Sequence, residues 1–365
     1  MKTENIHIGI VGAGNIGSTI YQLLNSTGCG YKISIADQVE KHNLFINDDD
    51  YYRLTITKPT YDGHCTQFNQ FVNGKTLIVN ALPFHQNINL YTACFELGVP
   101  YFDLSEDDAL DKFIDTLKSD KIPFTMPHCG LAPGLSTVIA HDLLADIENP
   151  TSVKIRVGAL SQNASNKLRY YTSWSGEGLV NEYLGDCQVL EDGIYNTVDA
   201  LTGYEKITLD GREYEAFNTS GGLGTFAKSL DGKYDSLNLN YKTLRRIGHH
   251  DYVDFLFNDL QIPQTVLTRI FSKIPKTRKD AVILYASASG EGMDDERSYF
   301  KIFRPKAING RNLTAIEYTT AIGLLAMVEL FLTYKIPNVG YVRQEDVLWK
   351  DVTSTTFGSI YRIEE

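Results

Sequence analysis

Between residues 5 and 130 short apolar or alternating runs recur at 6–11, 31–36, 76–81, 100–104 and 122–126, and the intervals between them carry helical periodicity. Between the first two runs, Ile16, Ile20, Leu23 and Leu24 fall at i, i+4, i+7 and i+8, so a helix there buries one stripe against a sheet. Strand and helix in repeated alternation predict an α/β fold, a Rossmann-type doubly wound parallel sheet whose crossovers are helices.

After about residue 150 the pattern changes. Longer alternating runs at 152–160, 205–217 around Asp210-Gly211, 281–289 and 298–304 are joined by hairpin-like turns, which favours an antiparallel or mixed sheet. Helical patterns at 177–184, 251–260 and 265–273 would cover one face of it. From 314 to 334 the chain is helical again and ends in a loop-rich tail containing Gly340 to Asp346. No repeat, low-complexity tract or Pro/Ser-rich linker interrupts it. The pattern therefore predicts a first domain over 1–132, an inserted α+β domain over 133–313, and a C-terminal helix and tail over 314–365 that return to the first domain.

Composition narrows the partners. The 365 residues exceed one core, and 45 Asp+Glu against 34 Lys+Arg, a net charge of −11 without a basic run, predict no nucleic acid and no membrane surface as partner. Five cysteines (Cys29, Cys65, Cys94, Cys129, Cys187) are far apart and odd in number, which fits a reducing compartment and a cytoplasmic protein. The first apolar stretch is short and runs straight into Gly12-Ala13-Gly14, unlike a secretory signal. The apolar segment 318–334 carries Glu329 and is short for a bilayer, so it reads as a buried helix.

Gly12-Ala13-Gly14-Asn15-Ile16-Gly17 matches G-x-G-x-x-G directly after an apolar strand and before an amphipathic helix. In that context Gly12 serves a tight turn, Gly14 the approach of a pyrophosphate to the backbone, and Gly17 close helix–strand packing, while the N-terminus of the helix offers N–H donors. Asp37 follows Gly17 by 20 residues, placed to accept from ribose hydroxyls and to repel a 2′-phosphate. Gln38, Val39 and Glu40 come next, with no Arg, so the expected cofactor is NAD rather than NADP. Asn80, Ala81, Leu82 and Pro83 end the strand at 76–81, where they either line the cofactor or form an ordinary strand-to-helix loop. The competing reading of the whole motif is a glycine turn in a domain that has lost its nucleotide.

A second cluster, Asp103-Leu104-Ser105-Glu106-Asp107, sits at the carboxyl end of another parallel strand, the edge where open α/β sheets bind ligands. Ser105 or Asp107 also suits the N-cap of a helix over 108–118. His128-Cys129-Gly130-Leu131-Ala132-Pro133-Gly134 follows the next strand, with Pro133 suited to a helix start. His7, His42, His64, His85, His141 and the adjacent His249-His250 show no ligand spacing, so no metal is expected.

Taken together, the Gly12–Gly17 motif, Asp103-Leu104-Ser105, Gly130-Leu131-Ala132-Pro133-Gly134, Trp174-Ser175-Gly176-Glu177-Gly178, Thr219-Ser220-Gly221-Gly222-Leu223, Leu244-Arg245-Arg246-Ile247-Gly248-His249 and Val342-Arg343-Gln344-Glu345 occur in the order found in saccharopine dehydrogenase-like proteins. The chain resembles that family over nearly its whole length. It looks shorter than the fungal saccharopine reductases and, through Glu177 to Tyr183, closer to the lysine 6-dehydrogenase type. The resemblance implies a Rossmann domain, an inserted domain that binds substrate and builds a homodimer, and hydride transfer between nicotinamide C4 and the amine-bearing carbon of an L-amino acid or adduct. It also leaves open a carboxynorspermidine-type polyamine dehydrogenase, or, in another class, a catalytically silent NAD-binding dimeric regulator.

On this resemblance Arg245 suits bidentate recognition of a substrate carboxylate, Trp174 the cover of an aliphatic chain, and Thr219 and Ser220 donation to carboxylate oxygens. Phe84, Asn181 and His249 join that set. Leu104, Cys129 and Gly130 join the cofactor-lining set. Each has a plainer alternative: a salt bridge for Arg245, core packing for Trp174 and Cys129, a helix cap for Thr219-Ser220. Asp103 and Glu106 are the acid/base candidates, with His128 third.

Overall fold

The computed structural model describes residues 6–41, 45–54, 66–117, 122–308 and 310–363. His42, His64 and Cys65 lie outside them. The chain forms two compact units, one of residues 1–134, 308–311 and 317–360 and the other of residues 135–307, 312–316 and 361–365.

In the first unit the elements run β1 (His7–Val11), α1 (Asn15–Ser26), β2 (Lys32–Asp37), β3 (Tyr51–Arg53), α2 (Thr66–Val72), β4 (Leu77–Asn80), α3 (Asn87–Leu97), β5 (Tyr101–Asp103), α4 (Asp108–Thr116) and β6 (Thr125–Met126). The six strands pair in parallel in the order β3-β2-β1-β4-β5-β6, the doubly wound arrangement the sequence pattern predicts. Ile8, Ile10, Ile35, Leu77 and Val79 are fully buried, as strands covered on both faces require. The register Val11↔Ala36, Val11↔Asn80 and Asn80↔Asp103 aligns the carboxyl ends of β1, β2, β4 and β5 along one edge.

The second unit begins with α5 (Leu135–Leu144), β7 (Pro150–Ser161), α6 (Gly176–Glu182), β8 (Asp186–Glu191), β9 (Ile194–Asp199), β10 (Glu205–Leu209), β11 (Arg212–Asn218), α7 (Phe226–Leu230) and β12 (Asn238–Arg245). It continues through α8 (His250–Asp254), α9 (Gln264–Phe271), β13 (Asp280–Gly290) and β14 (Arg297–Phe303). Its mixed sheet has the order β10-β11-β12-β7-β13-β14, with the β8–β9 hairpin attached to β12. The Asp210-Gly211 turn is a two-residue hairpin with both φ values positive, 49° and 67°. Tyr170, Leu179, Val180, Tyr183, Phe217 and Phe271 form the core beneath α6 and α9. The helical reading at 251–260 resolves into α8 followed by a wider π turn over Phe255–Asp259.

A short strand pair, β15 (Lys306–Ile308) with β16 (Arg311–Leu313), precedes α10 (Ala315–Leu332), and α11 (Trp349–Ser354) lies in the tail. By length and composition α10 could cross a membrane (mean hydropathy 1.6), yet 72% of it is buried inside the molecule, the behaviour of a core helix. Phe331 packs on Phe124 at 4.5 Å between ring centroids.

Candidate active site

The glycine loop between β1 and α1 has the steric signature its spacing predicts. Gly12 takes φ +104°, where an added Cβ would meet the Ala81 carbonyl oxygen at 2.6 Å. A Cβ on Gly17 would run into the Gly12 carbonyl oxygen. A Cβ on Gly14 would meet nothing within 4 Å. Two glycines are therefore fixed by the protein's own packing, and the third faces an open cradle at the first turn of α1, which holds no acidic side chain to compete with a phosphate. Asn15 and the half-buried Ile16 open that turn.

Asp37, at the end of β2, accepts from the Ala13 N–H at 2.6 Å and from the Val39 N–H at 3.2 Å. A carboxylate has about four acceptor sites, so capacity remains for ribose hydroxyls. A cavity of about 430 Å³ adjoins it, lined by Gly14, Asn15, Val39, Lys41, Tyr51 and Arg311 among others. The nearby cations Lys41 and Arg53 are paired, with Asp48 and Glu40 respectively. The loop, the helix terminus, Asp37 and this cavity fit a dinucleotide.

Along the same edge Asp103 is 1% exposed and accepts from the Tyr101 hydroxyl at 2.9 Å, the Ser105 N–H at 2.8 Å and the Ser105 hydroxyl at 3.3 Å. Burial pushes its carboxyl up to about 6, against the charge of His128 and these hydrogen bonds, which hold it down. Asn80 is buried and donates to Asn87 at 2.8 Å and to the Tyr101 hydroxyl at 2.8 Å, while its Oδ1 accepts from the Leu82 N–H. Its side chain thus orients Tyr101 and the 80–83 loop. Ala81, Leu82 and Leu104 are half-buried, and Pro83 and Phe84 are exposed in the short turn that follows. Glu106 is half-buried beside this cluster. Asp107 is the N-cap of α4, accepting from the Ala109 N–H at 3.0 Å.

His128 is buried with φ +62°. Its Nδ1–H donates to the Ser105 carbonyl at 3.0 Å and its Nε2–H to Asp111 at 3.2 Å. Tyr341 also donates to Asp111, at 3.0 Å. Burial alone would lower the imidazole pKa, but the Asp111 hydrogen bond and charge, with Glu106 and Asp103 behind it, raise it to about 9. The ring is therefore an imidazolium at neutral pH, a fixed cation beside Asp103 and a poor proton shuttle. Cys129 is fully buried, donates to the Met126 carbonyl at 3.1 Å and accepts from Gln344 at 2.9 Å. Burial pushes its thiol up, so it packs and does not react. Gly130 forms an isolated bridge with Gly134.

The His128–Asp111 pair has a pH signature. A group whose folded pKa is raised from 6.5 to about 9 contributes stability that is fully present below pH 6.5 and is lost as pH rises through 9. Asp103 titrates below that window. Thermal melts of the wild type should therefore fall between pH 6.5 and 9, and those of His128→Gln should fall less. Parallel slopes for the two proteins would remove the charge from His128.

In the second unit the predicted substrate residues separate into two kinds. Arg245 is 2% exposed; its Nε–H donates to the Tyr183 hydroxyl at 2.9 Å, one N–H each to Thr243 Oγ1 and to the Leu244 carbonyl, and another to Glu182 at 3.0 Å. Four of its five N–H donors are thus committed internally, the arrangement of the salt-bridge alternative, and one N–H is left for a substrate carboxylate. His249 is fully buried with both ring nitrogens bonded, Nδ1 to the Leu168 carbonyl at 2.8 Å and Nε2 to the Tyr183 hydroxyl at 2.9 Å. Burial and the Arg245 charge lower its pKa to about 3, so it is a neutral core histidine, correcting its substrate assignment.

Trp174 donates from Nε1 to the Tyr170 hydroxyl at 2.8 Å and packs on the core beneath α6. Asn181 and Ser220 are tied together, the Ser220 hydroxyl donating to the Asn181 carbonyl at 2.9 Å, while Asn181 Oδ1 accepts from Gln264 at 2.9 Å. Neither Thr219 nor Ser220 caps a helix, since Thr225 stands at the start of α7. Thr219 is 2% exposed and its hydroxyl has no hydrogen-bond partner among the described residues, the kind of donor that a substrate oxygen satisfies.

Residues 8–122 match the family model for the saccharopine dehydrogenase NADP binding domain, and residues 130–359 that for the saccharopine dehydrogenase C-terminal domain. Among solved structures, the chain is similar to apo histidine-tagged saccharopine dehydrogenase (L-Glu forming) from Saccharomyces cerevisiae, with 13% identity, a TM-score of 0.75, and coverage of 95% of this chain and 97% of that one. Homospermidine synthase from Legionella pneumophila in complex with NAD matches with 12% identity and a TM-score of 0.69, over 98% of this chain and 91% of that one. An engineered D-amino acid dehydrogenase bound to NADP+ matches with 10% identity and a TM-score of 0.51, over 98% of each chain. At these identities the likeness is one of fold.

Proposed function

The chain belongs to the saccharopine dehydrogenase family of NAD(P)-binding oxidoreductases, and from that premise we propose that it acts on the C–N bond of an L-amino acid or amino-acid adduct of lysine or saccharopine type, with NAD as its cofactor. The observation that carries this reading is the glycine loop: Gly14 faces open space at a helix N-terminus while Asp37 is tied to the same loop through Ala13. A bound nicotinamide supplies or accepts hydride at its C4.

The chain's own residues supply position and protons. Asp37 holds its carboxylate beside the cavity, while the nearby cations are taken up by other acids, Lys41 by Asp48, Arg53 by Glu40 and Arg311 by Glu317 at 3.9 Å, which favours NAD. Asp103 is held by Tyr101 and Ser105 and changes protonation near pH 6. It is therefore the group suited to exchange the proton that interconversion of amine and imine requires. His128, cationic through Asp111, keeps that carboxylate from rising further.

Fluorescence titration with NADH and NADPH, followed by turnover assays with lysine, saccharopine and carboxynorspermidine, tests the reading. NAD-linked turnover of lysine or saccharopine is expected, and Asp37→Ala should weaken NAD binding by about 1–2 kcal/mol, the scale of hydrogen bonds lost to a charged group. A preference for NADPH removes the Asp37 assignment, turnover of carboxynorspermidine alone moves the substrate class, and binding without any turnover makes the protein a silent dinucleotide binder.

A further inference from the structure

The mixed sheet of the second unit has one face whose apolar cluster includes Leu160, Tyr214, Leu244 and Ile283, with Ile302 packed against it. Side chains two residues apart on a strand share a face. Arg212, inside β11, is therefore on the face of Tyr214, and Arg246 and Arg304 stand one residue past the ends of β12 and β14. The register Ala216↔Leu244 brings Arg246 alongside Tyr214, and the guanidinium lies 5.4 Å from that ring's centroid. All three arginines line one cavity of about 220 Å³ whose floor includes Leu160, Ile283 and Ile302, with Gln162 and Asn163 at its edge.

The charge of this cavity is uncompensated. Among the described residues none of the three guanidinium groups has a carboxylate or a hydrogen-bond acceptor as partner, although the chain as a whole carries a net charge of −11. The cavity's lining contains no Asp or Glu; Glu213 lines only an adjoining hollow that shares Gln162 and Arg246 with it. Three like charges around one small hollow repel one another, and a multivalent oxyanion relieves that repulsion while filling their N–H forks. A volume near 220 Å³ lies below the roughly 300–1,000 Å³ of pockets for drug-sized ligands, which matches a small anion.

We propose that this cavity is a binding site for a small organic polycarboxylate, its carboxylates held by Arg212, Arg246 and Arg304 and its carbon body resting on the Leu160–Ile283–Ile302 floor. Tyr214 fixes the Arg246 guanidinium by its ring, and the Asn163 amide can donate to a further oxygen, while the Gln162 amide already donates to the Asp280 carbonyl at 2.8 Å. The site is built from residues apart from those of the dinucleotide reading and does not depend on it.

Calorimetric titration of the full chain with citrate, and with inorganic phosphate as the anion lacking a carbon body, tests it. One citrate per chain is expected, bound more tightly than phosphate and more weakly as salt is raised. Arg246→Gln and Arg304→Gln should each weaken citrate by about tenfold with NADH affinity unchanged. Arg212 and Arg304 are exposed, so Arg212→Gln and Arg304→Gln keep the test open if Arg246→Gln fails to fold. Absence of citrate binding at millimolar concentration overturns the proposal, as does equal affinity for citrate and phosphate or wild-type affinity in the folded variants. A loss of oligomer mass in Arg304→Gln with no citrate bound by the wild type would overturn it in favour of a second copy of the chain as the arginines' partner.

Discussion

Gly14→Val is expected to abolish dinucleotide binding while leaving the melting of the cofactor-free protein nearly unchanged. The residue sits at φ −66° and ψ −168°, extended backbone that valine adopts readily, and its added side chain would meet no protein atom within 4 Å. Valine is a poorer N-cap than glycine by a fraction of a kcal/mol, and the reduced freedom of the unfolded chain offsets that by a similar amount. The branched carbons would instead occupy the space where a pyrophosphate approaches the backbone. A loss of at least ~100-fold in NAD affinity, about 2.7 kcal/mol, is therefore expected in a fluorescence titration. Gly17→Ala should behave in the opposite sense, lowering the melting temperature without any cofactor present, because the Gly12 carbonyl oxygen is backbone and cannot move aside. NAD affinity unchanged in Gly14→Val would remove the phosphate loop from this site.

The first unit was legible in the sequence because its signals are local. Parallel strands buried on both faces read as apolar runs, and the turn after β1 is marked by three glycines, two of which answer steric demands of the protein's own packing while Gly14 faces open space. Asp107 as the cap of α4 was readable for the same reason. What sequence could not show were partners far apart in the chain. Asp111 holds His128 across 17 positions and Tyr341 reaches Asp111 across 230, so a histidine that looked like a proton carrier is a fixed cation. β3, the β8–β9 hairpin and β12 escaped the pattern for another reason. Tyr51–Arg53 is a short, largely exposed edge, β9 alternates weakly between half-buried and exposed residues, and β12 ends inward on Arg245, a charge that periodicity assigns to solvent or to a ligand. The one signal that could have flagged Arg245 as structural is Glu182-Tyr183 on the amphipathic 177–184 stretch, which supplies both an acid and a hydroxyl.

Arg245→Lys decides between the two roles the residue has been given. Were it a substrate clamp, the variant would fold normally and its KM would rise tenfold or more, since lysine cannot reproduce a bidentate fork. In the structure the guanidinium bonds Glu182, Tyr183 and Thr243 together and lies 5.2 Å and 5.7 Å from the ring centroids of Tyr170 and Tyr183. Burial already pushes the Glu182 carboxyl up to about 7 with that cation beside it, so removing the cation leaves an acid with no compensation. Truncating one member of a buried pair costs roughly 3–5 kcal/mol, and because the Glu182 side chain is 28% exposed to water the lower end applies here. Arg245→Ala is expected to lose about 3 kcal/mol in urea denaturation, and Arg245→Lys part of that. Combining Arg245→Met with Glu182→Gln should recover most of the loss, because no charge is then left buried. The folded fraction of Arg245→Lys should keep its NADH affinity and its kcat/KM on the best substrate within about twofold. Wild-type stability in Arg245→Lys together with a tenfold higher KM would return the substrate carboxylate to Arg245 and leave Glu182 as the residue whose burial lacks a reason.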